Sequence, residues 1–182
     1  MNLLRLMAGI PVDAALEQID AHPELWGENA ERLAEGSPHA GCQDIWLRFR
    51  AREELKTPED FDVPHFAVFY PAWGLLPALR PLVFGLMGLV EATYLGGVML
   101  TRIPPGGQVK PHIDRGWHPA TMNLKAYVIL RANEHCINRC GDETVTMRPG
   151  EAWAFENSVT HSVVNNGDAE RIAMIVTMMV ET

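Results

Sequence analysis

Seven histidines are spread along the 182-residue chain, at positions 22, 39, 65, 112, 118, 135 and 161. In such a scatter most serve on the surface or in the core, but the surroundings of one are unusual. In IPPGGQVKPHIDRG, a Pro104-Pro105-Gly106-Gly107 turn feeds a short extended segment that ends in His112-Ile113-Asp114. Along a strand, residues i and i+2 point the same way, so this imidazole and this carboxylate face one point. One more imidazole would complete the two-histidine, one-carboxylate facial triad, a donor set that suits non-haem Fe(II) and leaves coordination positions open. The pattern HxD is common by chance, so the third donor decides. His161, at the start of an extended segment after the turn Glu156-Asn157-Ser158, is the candidate.

Arg171 follows at the entrance to the last apolar segment. Alternation sets it on the face of Ala173, Ile175 and Thr177. A cation at the edge of an apolar face needs a partner. Two readings stand: a solvent-facing strand start paired with Glu170 or Asp168, or a guanidinium awaiting a ligand carboxylate, which its bidentate fork suits. Trp117 and His118 follow the HxD loop and read equally as a lid or as a surface turn closed by Pro119. Cys136 and Cys140 lie beside His135, but no second ligand pair accompanies them, which argues against structural zinc.

The elements that must position these residues divide near residue 92. The first part reads as helical and irregular. Val12 to Ile19 has helical spacing, closed by Pro23. Glu24 to Leu33 is a second short helix weakened by Gly27. Asp44 to Arg50 alternates as a strand. Leu75 to Val90 is apolar nearly all round, as in a buried helix. The second part reads as short strands at 94–103, 108–110, 121–130, 135–139, 143–147, 152–155, 161–164 and 172–180, the density of a sandwich or barrel. The last is apolar on both faces and must be covered on both sides, by the barrel interior and by Leu75–Val90.

Composition narrows the rest. Lys and Arg number 15 against 23 Asp and Glu, a net charge of −8, which speaks against a phosphate-tracking nucleic-acid binder and against a polybasic membrane patch. The longest apolar run, Leu82 to Val90, is far short of the roughly 20 residues a bilayer requires, and the start lacks a signal peptide's basic start and long apolar core. Three cysteines leave one unpaired and suit a reducing compartment. A cytoplasmic protein is expected.

The phrases RIPPGGQVKPHID, INRCGDETVTMRPGEAWAFENSVTHSV and RIAMIVTMMVE together resemble the aspartyl/asparaginyl β-hydroxylase branch of the Fe(II)/2-oxoglutarate dioxygenases, over about residues 93–181. The resemblance implies a mainly β fold with flanking α: a double-stranded β-helix (jelly-roll, cupin-like) covered by N-terminal helices. Residues 1–182 would form a single oxygenase domain, with a helical part over about 1–92. His112, Asp114 and His161 match the iron ligands, and Arg171 matches the arginine that holds the far carboxylate of 2-oxoglutarate. Thr101 falls where the branch has a hydroxyl touching the cosubstrate. Asn123 and Lys125 fall where relatives carry an arginine and a histidine near it. The implied cofactors are Fe(II) and 2-oxoglutarate. The implied reaction hydroxylates an unactivated C–H of an amino acid or peptide side chain, releasing succinate and carbon dioxide. The compact chain favours a small molecule or short peptide as substrate. Two alternatives are a cupin-like metal enzyme or isomerase that does not use 2-oxoglutarate, and a non-enzymatic jelly-roll binding protein.

Overall fold

The computed structural model describes residues 1–27, 32 and 34–181. In chain order the elements are β1 (Leu3–Met7), α1 (Asp13–Ala21), β2 (Gln43–Arg50), β3 (Ala67–Phe69), α2 (Ala72–Leu75), α3 (Arg80–Leu89), β4 (Ala92–Ile103), β5 (Gln108–His112), α4 (Trp117–Thr121), β6 (Leu124–Arg131), β7 (Cys136–Cys140), β8 (Glu143–Val145), β9 (Ala152–Phe155), β10 (His161–Asn165) and β11 (Arg171–Val180). Two antiparallel sheets result. One has seven strands in the order β1-β9-β6-β11-β4-β2-β3, and the other has four in the order β5-β10-β7-β8. This is the double-stranded β-helix that the resemblance implied.

β11 lies at the middle of the large sheet, between β4 and β6, with its first eight residues buried. Its two faces serve two cores. Ile172, Met174, Val176 and Met178 join Val83, Leu86 and Leu79 beneath the helices. Ala173 and Ile175 join Tyr127, Ile129 and Phe155 between the sheets. The helical cover predicted for this strand is therefore present. Full burial of a large apolar side chain contributes roughly 1.5–3 kcal/mol, so these rows dominate the stability of the sheet.

The structure revises several expected elements. The segment from 75 to 90 is not one helix. Pro77 opens a 3-10 turn over Pro77–Leu79, and α3 starts at Arg80 with Pro81 in its first turn, where a missing N–H costs nothing. Only one stripe of α3 is covered: Val83 and Leu86 are buried while Phe84 and Leu89 are exposed. In the region expected to form a second helix, Pro23–Leu25 is a 3-10 turn, and residues 28–31 and 33 lie outside the described residues. The first 92 residues are less helical than they read. β1, β2 and β3 all join the large sheet, and β1 and β3 are too short to carry a period. In β2 the alternation breaks at a bulge between Trp46 and Arg48, which brings Phe49 beside Trp46 with ring centroids 4.8 Å apart. The strand expected from 121 starts instead at Leu124, because Trp117–Thr121 forms α4. No helix among the described residues is long and apolar enough to cross a membrane.

The turns around β5 and β10 are tied by Asn165. Its fully buried amide donates to the carbonyls of Ile103, Pro104 and Ala169 at 3.2, 3.1 and 2.8 Å. Three backbone acceptors on one side chain lock the 104–107 turn to the β10–β11 turn. Both flank the strands that carry the histidines.

The packing of α3 generates a contrast. Leu86→Asp places an unpaired carboxylate in the core beneath β11 and should cost about 3 kcal/mol or more, whereas Phe84→Asp, half-exposed on the open side of the same helix, loses only an edge contact with Trp73 and should cost about 1 kcal/mol. Urea midpoints of the two variants check this.

Candidate metal centre

His112 closes β5 and His161 opens β10. The antiparallel register pairs the two directly. Their ring centroids lie 4.3 Å apart. Each ring is pinned by the carbonyl two residues before it: His112 Nδ1 contacts the Lys110 carbonyl at 2.8 Å and His161 Nδ1 contacts the Val159 carbonyl at 2.9 Å. A carbonyl only accepts, so each Nδ1 carries a proton and Nε2 is the ring atom left to meet a ligand. Both Nε2 atoms are buried and have no hydrogen-bond partner.

Asp114 completes the group. Its backbone N–H donates to the Asn157 carbonyl at 3.1 Å, fixing the loop after β5. Its Oδ1 lies 3.4 Å from His112 Nε2 and 3.8 Å from His161 Nε2. One donor atom from each of the three residues falls within 4.8 Å of the others. The other oxygen, Oδ2, is ion-paired with Lys125 Nζ. Burial opposes the charge on Asp114, but Lys125 and the imidazoles outweigh it and hold the carboxyl well below its ordinary range. His161 is pushed down to about 4, chiefly by burial, so it is neutral at pH 7.

Arg171 settles between its two readings. It is 1% exposed, so it is not a solvent-facing strand start. Glu170 points away from it and pairs with Arg131 and Arg102. Inside, Arg171 donates to Asn138 Oδ1 at 3.1 Å and lies 5.2 Å from the centre of the Tyr127 ring, while its buried Nε has no partner. Burial lowers its pKa. Sequence reasoning singles out neither Tyr127 nor Asn138 as a site residue. The signal for Tyr127 is strand alternation, which sets Asn123, Lys125 and Tyr127 in one polar row opposite the apolar Met122, Leu124, Ala126 and Val128. Asn138 has only its position between two buried cysteines.

The remaining candidates separate. Thr101 is buried on β4 opposite Ala173, but its hydroxyl donates to Asp44 Oδ1 at 2.9 Å. Asp44, fully buried, also pairs with Arg32, whose guanidinium reaches His39 Nδ1 at 3.1 Å. The His39 ring stands edge-on to His112 at 4.9 Å, and burial and Arg32 push its pKa down to about 2. Asn123 is not brought to the cluster: its amide donates to the Val180 carbonyl and accepts from the Val180 N–H. Lys125 is, through Asp114.

α4 lies over the mouth. His118 Nε2 contacts Thr177 Oγ1 at 2.9 Å, and the ring stacks on His65 at 5.7 Å. Gly116 precedes α4 at φ 98°, and a Cβ there would fall 1.4 Å from Asp62 Oδ1, which accepts from the Trp117 N–H at 3.1 Å. Only glycine allows this approach. Beneath is a cavity of about 150 Å³ lined by Trp46, Phe49, Met99, Asp114, His118 and Thr177, among others. Cys42, Cys136 and Cys140 are buried and free. His112, Asp114 and His161 form the only metal-competent group found among the described residues.

The profile of the aspartyl/asparaginyl β-hydroxylase family matches residues 75–180. The chain belongs to this family. The match starts earlier than the motif resemblance did and takes in α3. Membership makes the chain an enzyme, an oxygenase of the hydroxylase type with Fe(II) and 2-oxoglutarate as cofactors. Three solved structures share the fold. A Trichoplax adhaerens prolyl hydroxylase, in complex with a hypoxia inducible factor oxygen degradation domain peptide fragment, is 12% identical and has a TM-score of 0.65 over 98% of this chain and 83% of its own. A 2OG-Fe(II) oxygenase family oxidoreductase from Burkholderia pseudomallei is 15% identical, with a TM-score of 0.59 over 98% and 84%. A Pseudomonas putida prolyl-4-hydroxylase is 16% identical, with a TM-score of 0.57 over 99% and 93%. Curated proteins yield no match.

The protonation states of this hydroxylase domain predict a pH dependence. The unfolded His161 titrates near 6.5 and the folded one near 4, so the unfolded chain gains the proton first as pH falls. The stability that goes with neutral His161 is full above about 6.5 and is lost on descending toward about 4. His118, also pushed down to about 4 by burial, adds in the same direction. Urea unfolding of the metal-free chain should show stability falling across this window, with a shallower fall in His161→Gln.

Proposed function

We propose that this enzyme hydroxylates an unactivated C–H bond of an amino acid or short-peptide side chain, with Fe(II) held by His112, Asp114 and His161. The observation that carries the reading is the pair of buried, unpartnered Nε2 atoms facing one carboxylate oxygen. Leaving two buried polar atoms unpaired is costly unless a ligand satisfies them. Two imidazoles and a carboxylate are the donors Fe(II) takes, and His161 is already in the neutral state that binding requires. Bound Fe(II) would supply the oxidising chemistry with dioxygen as the oxidant, one oxygen atom going to succinate as 2-oxoglutarate loses carbon dioxide and the other to the new hydroxyl group of the substrate.

The chain's own residues hold and exclude. Arg171 would take the C5 carboxylate of 2-oxoglutarate: its charge is buried with no acidic partner among the described residues, and its Nε is free. Asn138 and the Tyr127 ring orient the guanidinium. This unpaired cation favours an acidic cosubstrate over a cupin-like enzyme that does without one. Thr101, opposite Ala173 on the neighbouring strand, would stand beside the cosubstrate, its hydroxyl donating to Asp44 Oδ1. The substrate would enter under α4 beside Asp114. The cavity there is smaller than the roughly 300 Å³ typical of pockets for drug-sized ligands, which supports entry of one side chain rather than a whole ligand. The peptide-bound Trichoplax structure supports a peptide as the bearer of that side chain. Three free cysteines support a cytoplasmic setting.

Two outcomes test the assignment. His112→Ala, Asp114→Ala and His161→Ala should each weaken Mn(II) binding by calorimetry and abolish succinate release, while His118→Ala and His135→Ala keep metal binding near wild type. Arg171→Met should spare metal binding but lower 2-oxoglutarate affinity by about 30- to 1000-fold, roughly 2–4 kcal/mol. The charge-transfer band of the anaerobic Fe(II) chain reports that titration. Wild-type-strength 2-oxoglutarate binding by Arg171→Met would sink the assignment.

A further inference from the structure

We propose that Lys125 is a positioning residue that commits Asp114 to bind the metal through a single oxygen; the inference rests on the metal-centre reading above. The two carboxylate oxygens of Asp114 are already divided. Oδ1 faces both Nε2 atoms, at 3.4 and 3.8 Å, and Oδ2 is held by the Lys125 ammonium. The two partners come from different sheets. Asp114 follows β5 of the small sheet, whereas Lys125 stands on β6 of the large sheet, paired with Thr177 of β11 and Phe155 of β9. Lys125 thus closes the barrel across its mouth.

The ring of Phe155 fixes the reach of the lysine. Nζ lies 5.2 Å from its centroid, and the same ring packs against His161 at 5.1 Å and stacks on Tyr127 at 4.5 Å. The one ring thus touches both the ammonium and the His161 imidazole. The family resemblance sets Lys125 near the cosubstrate, but its ladder partner on β11, Thr177, lies six residues from Arg171, about 20 Å of strand. Lys125 and Arg171 therefore do not share one carboxylate.

The consequence is coordinative. A charge-assisted hydrogen bond occupies Oδ2 and removes it from competition for the metal. Three protein donors on an octahedral ion leave three positions open, enough for a chelating cosubstrate and one more ligand. A carboxylate freed to bind with both oxygens would close one of them. Partners of this kind, one step out from the metal, orient the residues that bind it.

Water-proton relaxation of the Mn(II)-loaded full chain reads the number of open positions without turnover. Lys125→Met and Lys125→Gln should each lower the relaxation enhancement per bound Mn(II) by about one third, as one of three waters is displaced. The Gln variant stands in if the Met variant fails to fold. Lys125→Arg, which still donates to Oδ2, should match wild type. Unchanged enhancement in the folded Met or Gln variant overturns the proposal, and weakened 2-oxoglutarate binding alongside it would show that Lys125 touches the cosubstrate itself. A wild-type chain that binds no Mn(II) would instead overturn the metal-centre reading, and this inference with it.

Discussion

The pairing of His161 with His112 across β10 and β5 is the constraint on which the centre depends. Strand side chains alternate faces, so a slip of one residue would send His161 to the opposite side. Two devices hold the pair in place. Asn165 fastens the turns at the far end of β10, and each histidine is pinned by the carbonyl two residues before it. The second device also sets the tautomer. One backbone arrangement thereby provides both the distance between the imidazoles and the lone pairs they present.

The interior between the sheets is mostly apolar, and the polar groups within it are costly. Arg171 is the largest fully buried side chain among the described residues, and a neutral amide and an aromatic face are what its charge meets there. His112 and His161 each leave one buried nitrogen unpaired. A sequence selected for stability alone would not place these groups here. Departures from local consistency of this kind collect where a protein binds and reacts.

The family profile covers residues 75–180, yet the surroundings of the centre reach outside it. Asp44 and Trp46 come from β2, Arg32 and His39 from the segment before it, and His65 from the connection to β3. These residues line or border the cavity, while those within the profile supply the proposed ligands. The division suits a reaction centre built on a rigid scaffold with recognition added at its edge.

Sequence alone was sufficient for what depends on neighbours along the chain. The HxD pair on a strand end, the doubly apolar last strand and the run of short β segments follow from two-residue periodicity and turn chemistry. It was insufficient for what depends on which strands meet. Asp44 opens an alternating segment that reads as a strand, and only pairing with β4 carries it inside to meet Thr101 and Arg32. Lys125 reads as part of a polar row, and only closure of the two sheets brings its ammonium to Asp114. Asn123 belongs to the same row, but the end of the sheet turns its amide to Val180. A strand's period is a local property of the chain, whereas the partner of a side chain that crosses a barrel is set by register and sheet closure, which no local pattern encodes.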